Sequence, residues 1–562
     1  MCGIFGLAGK ITTEIPPSKI FESFNKLKLR GPDRSLTVDN HQSFIGFHRL
    51  AINGLDINGD QPFHLVDGDK TFYLVCNGEI FNFRELITTY QLKVSKTGSD
   101  CAVLLPLYQL FNYDVERLNK ELIGEYAFAI IEFDFNKLSS VTLSTDPLAV
   151  RPMFFAHNED FTSFGFSSLL AGLCNHFDEV KRLNQKQLII WRSGKPLVVK
   201  TYWEKVINLS PATHDATIAD YEQAVTLFEN AVKRRLISDR QIGCLLSGGL
   251  DSSLVCAVAA KLMAEYFPGK KLKTFSIGMR EGTDIKYAQQ VADHVNRLYN
   301  NIEHTVVYFT AEEGLGVIDE VINAAETFDI TTIRASVGQF LLGKYISTKS
   351  DAKVVLNGDG ADEGQMGYLY FYLQPDALSG QEDSYKLLDE IHLYDGLRVD
   401  RAISCNGLEA RVPFLDREFV DYFRALPADW KRPTTERMEK YFLRKAFSEV
   451  YKENPLLPEE VLWRKKEAFS DGVSGKEKSW FEMVKEYMQE KVSDEEFVSE
   501  KEHLNPTLIA PSKEAFYYQK KFKSLFGEQW KIISHYWLPN WSGNIQEPSA
   551  RVLKVYQSTN NN

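Results

Sequence analysis

The chain has 562 residues, 44% hydrophobic and 25% charged, with a formal net charge of −11 from 65 Lys plus Arg against 76 Asp plus Glu. Those proportions are the soluble globular average and exclude a disordered or low-complexity chain, while the acidic surplus argues against a protein that coats nucleic-acid phosphates. The length leaves room for two large enzyme domains.

Seven cysteines, Cys2, Cys76, Cys101, Cys174, Cys244, Cys256 and Cys405, are scattered with no CxxC pair. That fits reduced thiols in a cytoplasmic setting better than a disulfide framework. The eleven histidines form no HExxH and no Cys/His cluster, so zinc has no support. No apolar run approaches the ~20 residues of a membrane span. The opening MCGIFGLAGKI lacks the basic start of a signal peptide.

In chain order, Cys2 to Ala8, Phe72 to Cys76, Tyr126 to Phe133 and Ser140 to Ser144 read as strands separated by Gly, Asn and Asp turns, which predicts a sheet-rich first domain. The polar, proline-containing NLSPATHDAT places a linker around Trp203 to Thr217, and a helix is expected over Ala219 to Arg235. Then Gln241 to Leu246, Leu272 to Ile277, Ile302 to Val307 and Lys353 to Asn357 alternate with amphipathic helical stretches. That alternation predicts a parallel sheet with helices on both faces. From Glu363 onward the chain reads as mainly helical.

Cys2 follows the initiator Met, and a small second residue lets that Met be removed, leaving an α-amine on the residue that carries the thiol. With a reference pKa of about 7.7 to 8.0, the amine can take the thiol proton without a histidine. A cysteine at position two has no meaning by itself. Here GFHRLAI (Gly46 to Ile52), CNGEIFN (Cys76 to Asn82) and GSD (Gly98 to Asp100) follow it in order. The set resembles the class II glutamine amidotransferase domain, an N-terminal nucleophile hydrolase fold with a catalytic cysteine at its start. Under that resemblance, attack on a carboxamide makes an oxyanion for the Asn77 side chain and the Gly78 N–H to hold. Arg49 suits the α-carboxylate of glutamine and Asp100 its α-ammonium. Glu79 and Ile52 are further glutamine contacts. Taken singly, Arg49 or Asp100 is an ordinary surface charge.

IGCLLSGGLDSS (Ile242 to Ser253) reads as a buried strand, a glycine pair and a helix start, so backbone N–H groups converge on an anion. A lone SGG is only a capped turn; the full string is specific, and no GxxxxGK[ST] occurs. It resembles the PP-loop of the ATP pyrophosphatases, which adenylate a substrate and release pyrophosphate. TFSIGM (Thr274 to Met279), ETFDITTIRAS (Glu326 to Ser336), NGDGADE (Asn357 to Glu363), GLEARVPFLD (Gly407 to Asp416), LWRKKEAFSDG (Leu462 to Gly472) and SARVLKVY (Ser549 to Tyr556) follow. Together with the first domain, the whole chain is similar to the glutamine-hydrolysing asparagine synthetase family.

The resemblance implies an α/β and α+β enzyme. An α/β/β/α sandwich, residues 2–205, is expected to hydrolyse glutamine. A doubly wound parallel-sheet PP-loop domain with a helical C-terminal part, residues 215–562, is expected to activate aspartate as an adenylate and amidate it with channelled ammonia. Leu246, Ser247, Gly248, Gly249, Asp251, Ser252, Ile277, Asn357 and Gly358 fall at ATP-binding positions. Thr331, Thr332 and Arg334 fall at aspartate-binding positions, Lys466 at one that neutralises phosphate charge, and Asp251 and Asp362 at ones that attend magnesium. Asp359 stands where many members carry glutamate, one methylene longer. Ser144-Thr145-Asp146-Pro147 lacks the usual Arg before Asp, and Ser168-Leu169-Leu170-Ala171 lacks the charges of an SEAK stretch, so looser coupling between the two reactions is expected. A homodimer is a further family expectation, with no nucleic acid and no membrane. The alternative is an enzyme of the same build that amidates or cyclises another carboxylate.

Overall fold

The computed structural model describes residues 1–94, 98–466, 474 and 478–543. The strand signals of the first two hundred residues assemble into two six-stranded sheets. One runs from edge to edge as Lys181–Arg182, Phe154–His157, Ser163–Ser167, Gly3–Gly9, Ser43–Arg49 and Arg34–Asp39, antiparallel throughout. The other runs as Lys195–Thr201, Gln187–Arg192, Lys137–Thr145, Gly124–Asp134, Lys70–Ile80 and Phe63–Asp67, also antiparallel.

Successive side chains on a strand point to opposite faces, and that alternation builds the layers. Ile4, Ala8, Ile45 and Phe47 of the first sheet meet Val75, Ala127, Ala129 and Ile131 of the second. Phe5, Leu7 and Phe44 turn the other way, onto Ile20 and Phe24 of helix Pro17–Asn25. Phe72, Leu74 and Phe128 do the same toward helices Phe83–Tyr90, Leu104–Leu110 and Val115–Glu121. The α/β/β/α sandwich follows. Gly6 leaves room for its neighbouring strand: a Cβ there would sit 2.2 Å from the Phe166 ring.

After Thr201 no regular element forms until helix Ile218–Arg234, which a capping box between Thr217 and Asp220 opens one residue before its expected start. The second half carries a five-stranded, wholly parallel sheet in the order Ile302–Tyr308, Leu272–Gly278, Gln241–Leu245, Ala352–Leu356, Glu409–Arg411. Glu409–Arg411 was expected to lie in helical chain; three residues are too short for a strand pattern to register. From Gln241–Leu245 the chain winds outward in one direction to Ile302–Tyr308 and then returns to the other side at Ala352–Leu356. Ligands of open α/β sheets sit at such a switch point, beyond the carboxyl ends of the strands. The loops after these two strands are Ser247 to Ser252 and Asn357 to Asp362, and they touch: a Cβ on Gly358 would lie 2.6 Å from the Ser252 nitrogen.

The motif SARVLKVY and residues 467–472 of LWRKKEAFSDG lie outside the described residues. Among the described residues, no helix is long and apolar enough to cross a membrane.

Candidate active sites

Cys2 sits just ahead of strand Gly3–Gly9, and the turn after the paired strand Ser43–Arg49 closes over it. The Leu50 N–H donates to Sγ at 3.4 Å. Burial outweighs that bond and the nearby ammonium and pushes the thiol up to about 11. The ammonium belongs to Met1, 3.7 Å from Glu409, with the Met1 side chain buried and its sulfur 2.8 Å from Arg151 Nη1. Burial lowers the pKa of this amine.

Asn77 is fully buried, and among the described residues neither end of its amide has a hydrogen-bond partner. Leaving such a group unpaired costs about 1–3 kcal/mol, a penalty found where a side chain is held ready for a ligand. Gly78 follows with φ of +150°, and a Cβ there would lie 2.1 Å from the Glu125 carbonyl oxygen. Only glycine fits. Glu79 accepts from Asn53 and pairs with Arg411 of the second half at 3.3 Å. Burial, then the Asp100 charge, raises its pKa well above the ordinary value.

Arg49 is buried and donates to the Asp56 carbonyl at 2.5 Å, to Asp60 at 2.7 Å and to the Gly54 carbonyl. The Gly54 backbone meets Gly98, two residues before Asp100, since a Cβ on Gly98 would be 3.2 Å from Gly54 Cα. Asp100 accepts from the Ile80 N–H at 2.6 Å, and burial pushes it up to about 6. Ile52 is buried beside the turn, its carbonyl accepting from the Asp239 N–H at 3.1 Å. The fold thus brings Cys2, Arg49, Ile52, Asn77, Gly78, Glu79 and Asp100 to one end of the sandwich.

The switch-point crevice of the parallel sheet opens into a cavity lined by Leu246, Ser247, Gly249, Asp251, Ser252, Ile277, Asn357, Gly358, Asp359 and Lys466. Gly248 lies beneath, with φ of +79° and a Cβ position 2.4 Å from the Ala288 nitrogen. Ser252 Oγ accepts from the Ser247 N–H at 3.1 Å and closes the loop. Asp362 stands behind, held by Lys440 Nζ at 2.6 Å and by Lys466. Those ammonium groups, working against burial, drop its pKa below the usual carboxylate range, and Lys466 is raised in turn by Asp362 and Asp251. Asp359 accepts from Gln339 at 3.2 Å and pairs with Arg398; burial raises its pKa despite that guanidinium.

The aspartate-binding expectations sit elsewhere. Thr332 is buried and bonds Asp329 at 2.8 Å, capping helix Ile330–Lys349, while Thr331 donates to the Trp537 carbonyl at 3.4 Å. Arg334 is buried in an ion pair with Glu514 of helix Lys513–Phe526, Nε to Oε1 at 2.7 Å. None of the three lines the cavity. Their helix does line it, through Gln339 and Leu342.

The protein-family comparisons match a glutamine amidotransferase domain model over residues 1–228 and an asparagine synthase model over residues 224–386 and 379–552. The glutamine-hydrolysing asparagine synthetase of Gallus gallus is 37% identical over 586 residues, covering 99% of each chain. Those of Homo sapiens and Bos taurus are 35% and 36% identical, again over 99% of each chain. The chain belongs to the glutamine-hydrolysing asparagine synthetase family.

In this asparagine synthetase family member, cations beyond Lys466 converge on the synthetase cavity. Lys440 is 2% exposed, left-handed at φ +58°, and bridges Asp251 at 2.5 Å and Asp362. Arg464 donates to the Gly248 carbonyl at 3.1 Å and to Asp284 at 2.8 Å, and lies 4.0 Å from the Tyr287 ring centre. Lys465 and Arg398 also line the cavity. Arg464 and Lys465 belong to the LWRKKEAFSDG string, which was their signal. Lys440 had none.

The altered SLLA stretch also takes a part that its side chains did not advertise. The Leu170 and Ala171 N–H groups both donate to Glu326 at 2.8 Å, joining the two halves through backbone rather than charge.

Proposed function

We propose that residues 2–205 release ammonia from glutamine at Cys2 and that residues 215–562 use it to convert activated aspartate to asparagine. The observation that carries this reading is one chain holding both an orphaned Asn77 amide in the domain that opens with Cys2 and a PP-loop at the switch point of a parallel sheet. Once Met1 is removed, the α-amine stands on Cys2 and accepts the thiol proton as sulfur attacks the carboxamide. Negative charge develops on the amide oxygen, where Asn77 Nδ2 and the Gly78 N–H donate. Arg49 orients the glutamine α-carboxylate and Asp100 its α-ammonium. The thioester that remains is hydrolysed to glutamate.

A carboxylate oxygen is a poor leaving group, so the second site joins aspartate to AMP. Ser247, Gly248, Gly249 and Ser252 cradle the phosphates with backbone and hydroxyl donors, Leu246 and Ile277 flank the adenosine, and Asn357 with Gly358 closes the other side. Lys466 meets charge developing on the phosphate. Asp359 accepts a proton as ammonia attacks. Thr331, Thr332 and Arg334 support aspartate from the helix that presents Gln339.

Asp251 and Asp362 would hold magnesium. Among the described residues Asp251 Oδ1 has no hydrogen-bond partner, which suits an ion that takes one or two carboxylates and fills its shell with phosphate oxygens and water. A magnesium ion held there would supply positive charge to the phosphate oxygens. Seven unbridged cysteines support a cytoplasmic location, and the family resemblance adds a homodimer. Mass spectrometry of the products from ATP, aspartate and glutamine tests the whole reading. Asparagine, glutamate, AMP and pyrophosphate are expected; ADP in place of AMP defeats it.

A further inference from the structure

Helix Ile330–Lys349 is buried over most of its length, and one of its inward residues is out of place in an apolar interior. Gln339 is 7% exposed, on a stretch that also buries Val337, Phe340 and Leu342. Gln339 and Leu342, one turn apart, line the same wall of the synthetase cavity. A leucine or methionine at 339 would suit both helix and core without burying a polar group.

Among the described residues the Gln339 side chain makes one hydrogen bond, from Nε2 to Asp359 Oδ2 at 3.2 Å. Its Oε1 is buried and has no partner. An unpaired buried carbonyl is destabilising, so the value of the amide lies at its other end. Arg398 donates to the second carboxylate oxygen, Oδ1, and favours the ionised form, which can only accept; the amide must therefore turn its NH2 toward Oδ2.

The two oxygens of Asp359 are thus pinned by separate donors from separate helices, Arg398 on Asp395–Ser404 and Gln339 on Ile330–Lys349. A guanidinium neutralises the oxygen it holds, whereas a neutral amide orients without neutralising, so Oδ2 stays the more basic of the pair. Asp359 is half-buried and lines the cavity. Being one methylene shorter than the glutamate of many family members, its carboxylate depends all the more on how it is held.

We infer that Gln339 is a positioning residue for the amidation step, its Nε2 fixing the Asp359 carboxylate so that Oδ2 meets the nitrogen attacking the activated aspartate. The inference rests on the reading that Asp359 takes a proton in that step. There the ammonia nitrogen bonds to the acyl carbon, the C–O bond to AMP breaks with its electron pair leaving on AMP, and one proton of the new ammonium passes to Asp359. Gln339 touches none of the reacting atoms.

Rapid-quench turnover of the full chain with ATP, aspartate and ammonium salt separates the steps, since pyrophosphate reports activation and asparagine reports amidation. Gln339→Met keeps the length of the side chain and removes the donor. In the first turnover pyrophosphate is expected at the wild-type rate and asparagine about tenfold or more slowly, the worth of one hydrogen bond to a charged group. The variant is expected to melt no lower than wild type, because the unpaired carbonyl goes with the donor. A purely structural glutamine would do the reverse, lowering the melting temperature and slowing both steps. Gln339→Asn, which draws the amide one methylene back from Asp359, is expected to slow the same step and carries the test if Gln339→Met does not fold. Either variant forming asparagine at the wild-type rate, or slowing both steps alike, overturns the inference. Asp359→Asn separates it from the reading beneath it: asparagine at the wild-type rate there overturns both, whereas loss in Asp359→Asn with none in Gln339→Met overturns only the role of Gln339.

Discussion

Arg30 forks the Asp400 carboxylate at 2.7 and 3.1 Å across the boundary between the two halves, while its Nε donates at 3.0 Å to the carbonyl of Cys2. Asp400 lies on helix Asp395–Ser404, which two residues earlier carries Arg398 to Asp359 in the synthetase cavity. The nucleophile of one site and a cavity carboxylate of the other thus hang on one helix. Asp400→Asn leaves the buried Arg30 charge unmatched, so a stability loss of about 3 kcal/mol is expected. Among molecules that stay folded, glutamate released per asparagine formed rises above the wild-type ratio. Amino-acid analysis of both products checks it, and an unchanged ratio would remove this helix as the coupling element.

Cys2→Ala removes the nucleophile and leaves the PP-loop untouched. Glutamine-dependent asparagine formation is expected to fall by about a thousandfold or more, while synthesis from ammonium salt continues near the wild-type rate. The same split is expected of a chain that cannot shed Met1, because the α-amine then sits by Glu409 rather than on the thiol residue. Intact mass and the two rates, measured on one preparation, settle both.

Asp100 provides a pH signature. Burial pushes its folded pKa up from the ordinary carboxylate range to about 6. Only the ionised form pairs with the glutamine ammonium, so KM for glutamine is expected to climb as pH falls below about 6, by up to tenfold per unit. In the free enzyme the folded state binds the extra proton, so stability falls as pH rises from about 4 through 6 and stays lowered above that. Asp100→Asn removes that loss while an amide oxygen can still accept from Ile80. The variant is therefore expected to melt higher than wild type at pH 7.5 relative to pH 4, and to bind glutamine poorly at every pH. Melting curves at both values, with a KM profile, check the sign.

The parts legible in the sequence were those whose function sets a contiguous pattern. Gly78 and Gly248 announce backbone approaches that no side chain allows, and the SGGLDSS loop sits where the strand order turns. What stayed hidden was pairing over long sequence distances. Arg334 pairs with Glu514, 180 residues away, on a helix that no local pattern brings beside it. Lys440 carries no local signal at all, because its role depends on Asp251, 189 residues upstream.

That lysine yields the most discriminating experiment on the synthetase half. Its ammonium bridges Asp251 and Asp362, while Lys466 approaches Asp362 from the other side. Two half-buried carboxylates would otherwise repel each other beside the phosphates, and one would be pushed toward taking a proton. Lys440→Met keeps the apolar stem and removes the charge. Asparagine formation from either nitrogen source is expected to drop by about a hundredfold or more, the scale of one preorganised charge in a dry site. Glutamine hydrolysis at Cys2 continues, since no contact of Lys440 reaches that site. If both ammonium groups are needed together to hold Asp362, either loss alone already disrupts the pair of carboxylates, and Lys440→Met with Lys466→Met is expected to be no worse than the poorer single variant by more than a fewfold. A double variant whose losses multiply in full would mean that the two lysines act on separate steps.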